Sequence, residues 1–192
     1  MSHTRVDQGL DALAQAAEAS KALSPRVAAV ASRYVEVLRK GGTLYLCGNG
    51  GSAADAQHVA AEYVVRYTAT RRPLPAVALS TDTSILTAAG NDLGFEQIFA
   101  RQIEALCRPG DLLILHSTSG QSPNLLAAAR AARKAGVPTV AFLGKGGGAL
   151  ADLVDEAIVV PSNQTSLVQL IHMALQHLIV ESVEHELFGT KA

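Results

Sequence analysis

The segment 43–62, TLYLCGNGGSAADAQHVAAE, decides how this chain folds. Its opening apolar residues, 43–47, read as a buried strand, the glycines after them as a tight loop, and the alanine-rich remainder as a helix. A strand that runs through a glycine loop directly into a helix is the first half of a strand–helix–strand unit, the element from which parallel sheets are built. The start of such a helix presents free backbone N–H groups and the positive end of the helix dipole, a site suited to a phosphate. His58 and Glu62 stand four residues apart on the helix, so their side chains share a face. A phosphorylated ligand can reach both features at once.

Outward from this segment the pattern repeats. Further β-rich runs lie at 76–80, 111–117, 139–143 and 157–160. Helices are expected over 52–67, 83–106, 122–135 and, more briefly, 149–154, with two amphipathic helices ahead of them (6–22 and 24–39) and a long one behind (about 166–187). Five strands alternating with helices predict an α/β fold, a parallel sheet with helices on both faces, in one domain over 1–192 with its N-terminal helices packed on the core. Ser52 with Asp55 resembles a capping box, Ser122-Pro123 a cap followed by a proline at the first helical position, and Gly136 a helix stop. In such sheets ligands collect beyond the C-terminal strand ends, where 48–52, Thr81-Asp82, 117–122 and 144–148 should emerge.

Bulk composition narrows the function classes. The chain has 192 residues, 48% apolar and 17% charged, with a formal net charge of −1. That excludes a disordered chain and argues against nucleic acid as a ligand. Abundant Ala with only 4% aromatic residues and no Trp suits helices packed closely on a sheet or on another subunit. Cys47 and Cys107 form neither a disulfide framework nor a metal knuckle and read as buried thiols. The N-terminal stretch alternates charge with Ala, so a signal peptide or spanning helix is not expected there, and a cytoplasmic location is.

The loop Ser117-Thr118-Ser119-Gly120-Gln121-Ser122 offers four hydroxyls and several N–H groups around one point, enough to hold a phosphoryl group without a cation. Such turns are commonly plain caps, but this one should leave a strand end beside a glycine loop. Gly48-x-Gly50-x-x-Ala53 also satisfies the relaxed dinucleotide fingerprint; Asp82, however, comes too late to be its acidic ribose partner. A Walker A loop is excluded because no Gly-Lys-Ser/Thr follows the glycines.

His58 and Glu62 taken alone fit a solvated helical pair. The last helix changes that reading, because Gln169, His172, His177 and Glu184 interrupt an otherwise apolar stretch and some of them must face inward or toward a partner. Gln169 and His177 are eight residues apart and share a face, with His172 about 60° away from that line. His3, His116 and His185 have no partner in sequence and read as structural or exposed. His58, Glu62, Gln169 and His177 together supply donors that zinc accepts, and the same Glu and His could instead move protons.

The blocks CGNGGSAADAQHVAAE, LSTDTSILTAAGND, FEQIFARQIEAL and HSTSGQSPN, in this order and spacing, resemble the sugar isomerase (SIS) domain family, and within it the phosphoheptose isomerases. The similarity runs from about residue 40 to the C-terminus. It implies a five-stranded parallel sheet in a three-layer, flavodoxin-like sandwich, assembled as a homotetramer with active sites at subunit interfaces. The implied reaction converts D-sedoheptulose 7-phosphate into D-glycero-D-manno-heptose 7-phosphate through an enediol, the first step of ADP- or GDP-heptose biosynthesis. By the family's pattern Asn49, Gly50, Gly51, Ser52, Asn91, Asp92, Ser117, Thr118, Ser119, Ser122 and Gln169 hold the substrate. Glu62 and His177 match the acid/base pair, and His58, Glu62, Gln169 and His177 match the ligands of one zinc per subunit.

Two positions depart from the family. Leu170 stands where a Glu is usual after the glutamine, and Gln164 where an Asp is usual before the threonine. The resemblance admits two other outcomes: an SIS isomerase for a different sugar phosphate, or a non-catalytic SIS protein that binds the replication initiator. The second lacks the Glu and His that this chain keeps at 62 and 177. The destinations open to such a heptose are lipopolysaccharide, capsule, surface layer and secondary-metabolite glycosylation.

Overall fold

In the run Leu112–Ser117 every residue is buried. Leu112 and Ile114 enter one apolar cluster while Leu113 and Leu115 enter another, as a two-residue period requires of a strand covered on both faces. The computed structural model, which describes residues 3–189, places this strand at the centre of a sheet. The elements are α1 His3–Ser20, α2 Ser24–Arg39, β1 Leu44–Gly48, α3 Gly51–Val64, β2 Ala76–Ala78, α4 Thr83–Asp92, α5 Ala100–Leu106, β3 Leu112–Ser117, α6 Pro123–Ala135, β4 Thr139–Leu143, α7 Gly148–Ala151, β5 Glu156–Val159 and α8 Thr165–Phe188. The strands are all parallel, in the order β2-β1-β3-β4-β5. The expected five-stranded α/β sandwich is what forms.

Val30, Tyr34, Tyr63, Ile179 and Val183, from α2, α3 and α8, cover one face; Phe99, Ile103, Leu125, Ala128 and Ala132, from α5 and α6 with the chain before α5, cover the other. The N-terminal helix joins the first layer through Ala16. Both cysteines are free and buried, as expected. From β1 the chain first goes out to β2 and then returns past β1 to β3. The loops after β1 and β3 therefore leave neighbouring strands at the point where the winding reverses, where such sheets bind ligands.

Three local expectations are corrected. The helix expected over 83–106 is two helices joined by a 3-10 turn, Phe95–Gln97, because Gly94 takes φ 93°, outside the helical region. The helix expected to reach 67 stops at Val64, where the Arg71 guanidinium takes the carbonyls of Glu62 and Tyr63. Ser52 is no cap: the N-cap is Gly50, at φ 55° and ψ −123°, a backbone that side chains disfavour, and Ser52 is buried inside the first turn. Pro123 and Gly136 do bound α6 as predicted. Asp82, too late for a ribose, instead caps α4 by accepting from Ile85 N–H at 2.9 Å.

Helix α8 is long and apolar enough to cross a membrane by length and composition. Its buried face carries Val168, Ile171, Ile179 and Val183 into the core together with His172, Gln176 and Glu184, which marks it as the core helix of a folded domain.

Candidate active site

Val59, Ala60 and Tyr63 of α3 bury themselves beside Val168, Ile171 and Ile179 of α8. That packing turns the adjoining flank of α3, bearing His58 and Glu62, toward His177. His58 Nε2 lies 3.1 Å from Glu62 Oε1 and 3.1 Å from His177 Nε2. The three donor atoms all sit within 4.8 Å of one another. His58 is exposed and the other two are half-buried, so a small molecule can reach them. Two imidazole nitrogens and one carboxylate oxygen at this spacing fit a divalent cation of the zinc type, and equally fit a carboxylate and an imidazole that exchange protons with a ligand.

The fourth expected ligand, Gln169, is drawn to the glycine loop. Its amide lies so close over Gly51 that a Cβ there would come within 2.6 Å of Nε2. The β1–α3 loop, the first turn of α3 and α8 thus meet at Gln169.

Beside them the β3–α6 loop is shaped by its own hydroxyls. Ser117 Oγ accepts from Gly120 N–H at 3.0 Å and Ser119 Oγ from Gln121 N–H at 3.2 Å. Ser122 sits at the N-cap without a side-chain capping bond, and neither its hydroxyl nor that of Thr118 bonds a described residue, which leaves both for a ligand. Gly120, at φ 62°, presses on the next loop, and a Cβ would strike the Gly147 carbonyl. Asn49 has a partner the sequence reading missed: it exchanges amide hydrogen bonds of 2.9 and 2.8 Å with the buried Asn124, tying the β1–α3 loop to the first turn of α6. Asn91 and Asp92 are exposed at the end of α4, bonded to each other at 2.7 Å and to no member of the triad.

The other histidines divide. His116, with no partner in sequence, is fully buried and meets Gln176 at 2.9 Å; burial pulls its imidazole down to about 3. His172 faces inward onto the Leu143 carbonyl at 3.1 Å, and burial pulls it down to about 4. Both are neutral packing groups. Asp55, one turn before His58, is half-buried with Oδ2 unpartnered, and burial raises its carboxyl to about 6. Tyr67, also unforeseen, stacks on His177 with centroids 5.4 Å apart and planes 28° from parallel.

Residues 10–144 match the SIS domain family. The phosphoheptose isomerase of Roseiflexus sp. (strain RS-1) is 56% identical over 165 residues, 86% of this chain and 84% of that protein. The chain belongs to the phosphoheptose isomerase family of SIS domain proteins. The fold agrees with solved family members: the phosphoheptose isomerase of Francisella tularensis superposes with a TM-score of 0.93 at 34% identity, covering 96% of this chain and 99% of that one. The phosphoheptose isomerase of Neisseria gonorrhoeae gives 0.89 at 39% identity, over 94% and 97%.

Proposed function

We propose that this SIS domain protein is a cytoplasmic aldose–ketose isomerase that converts D-sedoheptulose 7-phosphate into D-glycero-D-manno-heptose 7-phosphate. The observation that carries the reading is the meeting of Glu62 with His58 and His177, brought from α3 and α8 to within 4.8 Å.

The phosphate sits in the β3–α6 loop, on the backbone N–H groups and hydroxyls of Ser117, Thr118, Ser119 and Ser122, with Asn49-Gly50-Gly51, Ser52 and Gln169 along the sugar. Asn91 and Asp92 contribute if a neighbouring subunit brings them to the cleft. Glu62 takes a proton from C1 of the open-chain ketose while His177 protonates the C2 oxygen, which leaves an enediol. Glu62 then returns the proton to C2, and His177 removes the one on the C1 oxygen, so that the aldose forms with no net gain or loss of protons or electrons. His58, Glu62, Gln169 and His177 would hold one zinc per subunit. The chemistry zinc supplies when bound is polarisation of the sugar's oxygens.

The assembly proposed is a homotetramer. Leu170, Ala174 and Leu178 follow one another at helical spacing on α8 and are all exposed, an apolar strip beside Gln169 and His177 that a second subunit would cover. A replication-initiator-binding relative without chemistry has no use for Glu62 and His177, and their meeting favours the enzyme.

The test is conversion of sedoheptulose 7-phosphate by the purified protein, with zinc and with chelator, alongside Glu62→Gln and His177→Ala. An aldoheptose 7-phosphate formed by the parent and by neither variant is the expected result. No conversion by a protein that still binds sugar phosphate would redirect the reading to another substrate or to a binding role.

A further inference from the structure

The reaction needs the His177 imidazole held in one plane opposite Glu62, and the loop 65–73 contains the parts that do so. Glu184 lies seven residues beyond His177 on α8, where two turns bring a side chain back to within about 20° of the same line. Its side chain is 1% exposed and its lone pairs are filled. Oε1 accepts from Tyr67 N–H at 3.1 Å and from Arg71 Nε at 2.8 Å. Oε2 accepts from Thr68 N–H at 3.2 Å, the Thr68 hydroxyl at 3.0 Å and Ala69 N–H at 3.1 Å. One carboxylate thus fixes three consecutive backbone amides, and with them the course of the loop at Tyr67.

Arg71 extends the link to the other helix. Its side chain, 2% exposed, donates Nη2 to the carbonyl of Glu62 at 2.6 Å and Nη1 to that of Tyr63 at 2.7 Å. These carbonyls belong to the last turn of α3, where no helical N–H remains to meet them. A single buried ion pair therefore joins the backbone of Glu62, the Tyr67 loop and the α8 face that bears His177. The Tyr67 ring lies on the imidazole at 5.4 Å and 28°, a stacked contact that opposes rotation of the smaller ring.

We propose that Tyr67, Arg71 and Glu184 are positioning residues of the isomerase: the ion pair fixes the loop, and the loop sets Tyr67 against His177 so that the imidazole stays in register with Glu62 and His58. A purely structural cross-link would change melting temperature and leave the folded site as it was. This inference rests on the isomerase reading for its kinetic arm and on zinc binding alone for its second arm.

The experiment compares Tyr67→Leu, Tyr67→Phe and Glu184→Gln with the parent in kcat and KM for sedoheptulose 7-phosphate, and in zinc affinity measured against a chromophoric chelator. Tyr67→Leu should lower kcat at least tenfold with KM changed less than threefold, and should weaken zinc at least tenfold. Tyr67→Phe, which keeps the ring, should hold both within twofold, and folded Glu184→Gln should follow Tyr67→Leu. If Glu184→Gln does not fold, the two Tyr67 variants decide the matter. Parental kcat and zinc affinity in Tyr67→Leu, or equal losses in Tyr67→Phe and Tyr67→Leu, would overturn the proposal. A parent that turns over no heptulose phosphate defeats the isomerase reading alone, and the zinc arm still decides whether Tyr67 orients His177.

Discussion

The Nε2 atoms of His58 and His177 face each other at 3.1 Å, with Glu62 Oε1 at the same distance from His58. A single N–H···N hydrogen bond between the two rings accounts for this approach, and a divalent cation displacing that proton would find two imidazole nitrogens and a carboxylate oxygen already gathered. Adding zinc to metal-free protein should therefore raise its melting temperature. At a hundredfold excess over Kd the stabilisation is about 2.7 kcal/mol, on the order of 5–10 °C for a chain of this length. His58→Ala and His177→Ala should each remove most of that shift in a thermal scan, and an unchanged shift in both would show that the ion binds elsewhere.

Glu62→Gln keeps the shape of the side chain and removes its capacity to accept a proton. General acid–base steps are worth roughly a hundred- to ten-thousandfold, so kcat should fall by about a thousandfold while far-ultraviolet circular dichroism is retained. A loss under tenfold would reassign the base.

The exposed strip Leu170, Ala174 and Leu178 should be an assembly surface. Leu170→Glu combined with Leu178→Glu places two carboxylates on it and should convert the proposed tetramer into smaller species by light scattering coupled to gel filtration, with loss of activity in proportion. A parent that is monomeric at micromolar concentration would refute both the strip's role and the proposal of active sites shared between subunits.

His116 and His172 are buried neutral, with imidazoles pulled down to about 3 and about 4. The unfolded chain takes up their protons near pH 6.5 and the folded one does not, so between about pH 6 and pH 4 the unfolded state binds more protons. Stability then falls as pH falls, by up to about 2.7 kcal/mol per unit for two such groups. Urea unfolding across that range should show this slope, and His116→Gln should roughly halve the part due to the pair. The raised carboxyl of Asp55 acts in the opposite sense between about pH 4 and 6, and Asp55→Asn should leave a steeper dependence there.

What the sequence disclosed was mostly local. The strand, loop and helix of 43–62 are adjacent in the chain, and helical spacing alone aligns His58 with Glu62 and Gln169 with His177. The break at Gly94 was hidden because apolar residues continue past it at helical spacing, while one glycine at φ 93° redirects the chain. Asn124, Tyr67 and the Arg71–Glu184 pair were invisible for another reason. Asn49 meets Asn124 across 75 positions and Arg71 meets Glu184 across 113, so no periodicity within one element announces them. Glu184 was legible only as a charge in an apolar helix that needed a partner.

His58 and His177 are 119 positions apart, and the second rides on α8. Local segments alone can supply the loops after β1 and β3 and the pair His58 and Glu62, but the imidazole that faces them arrives only when α8 packs on α3 and closes one face of the sheet. On the roles proposed for Glu62 and His177, turnover requires α8 to have docked on α3, so activity would report a long-range contact of the protomer and not only the formation of its sheet.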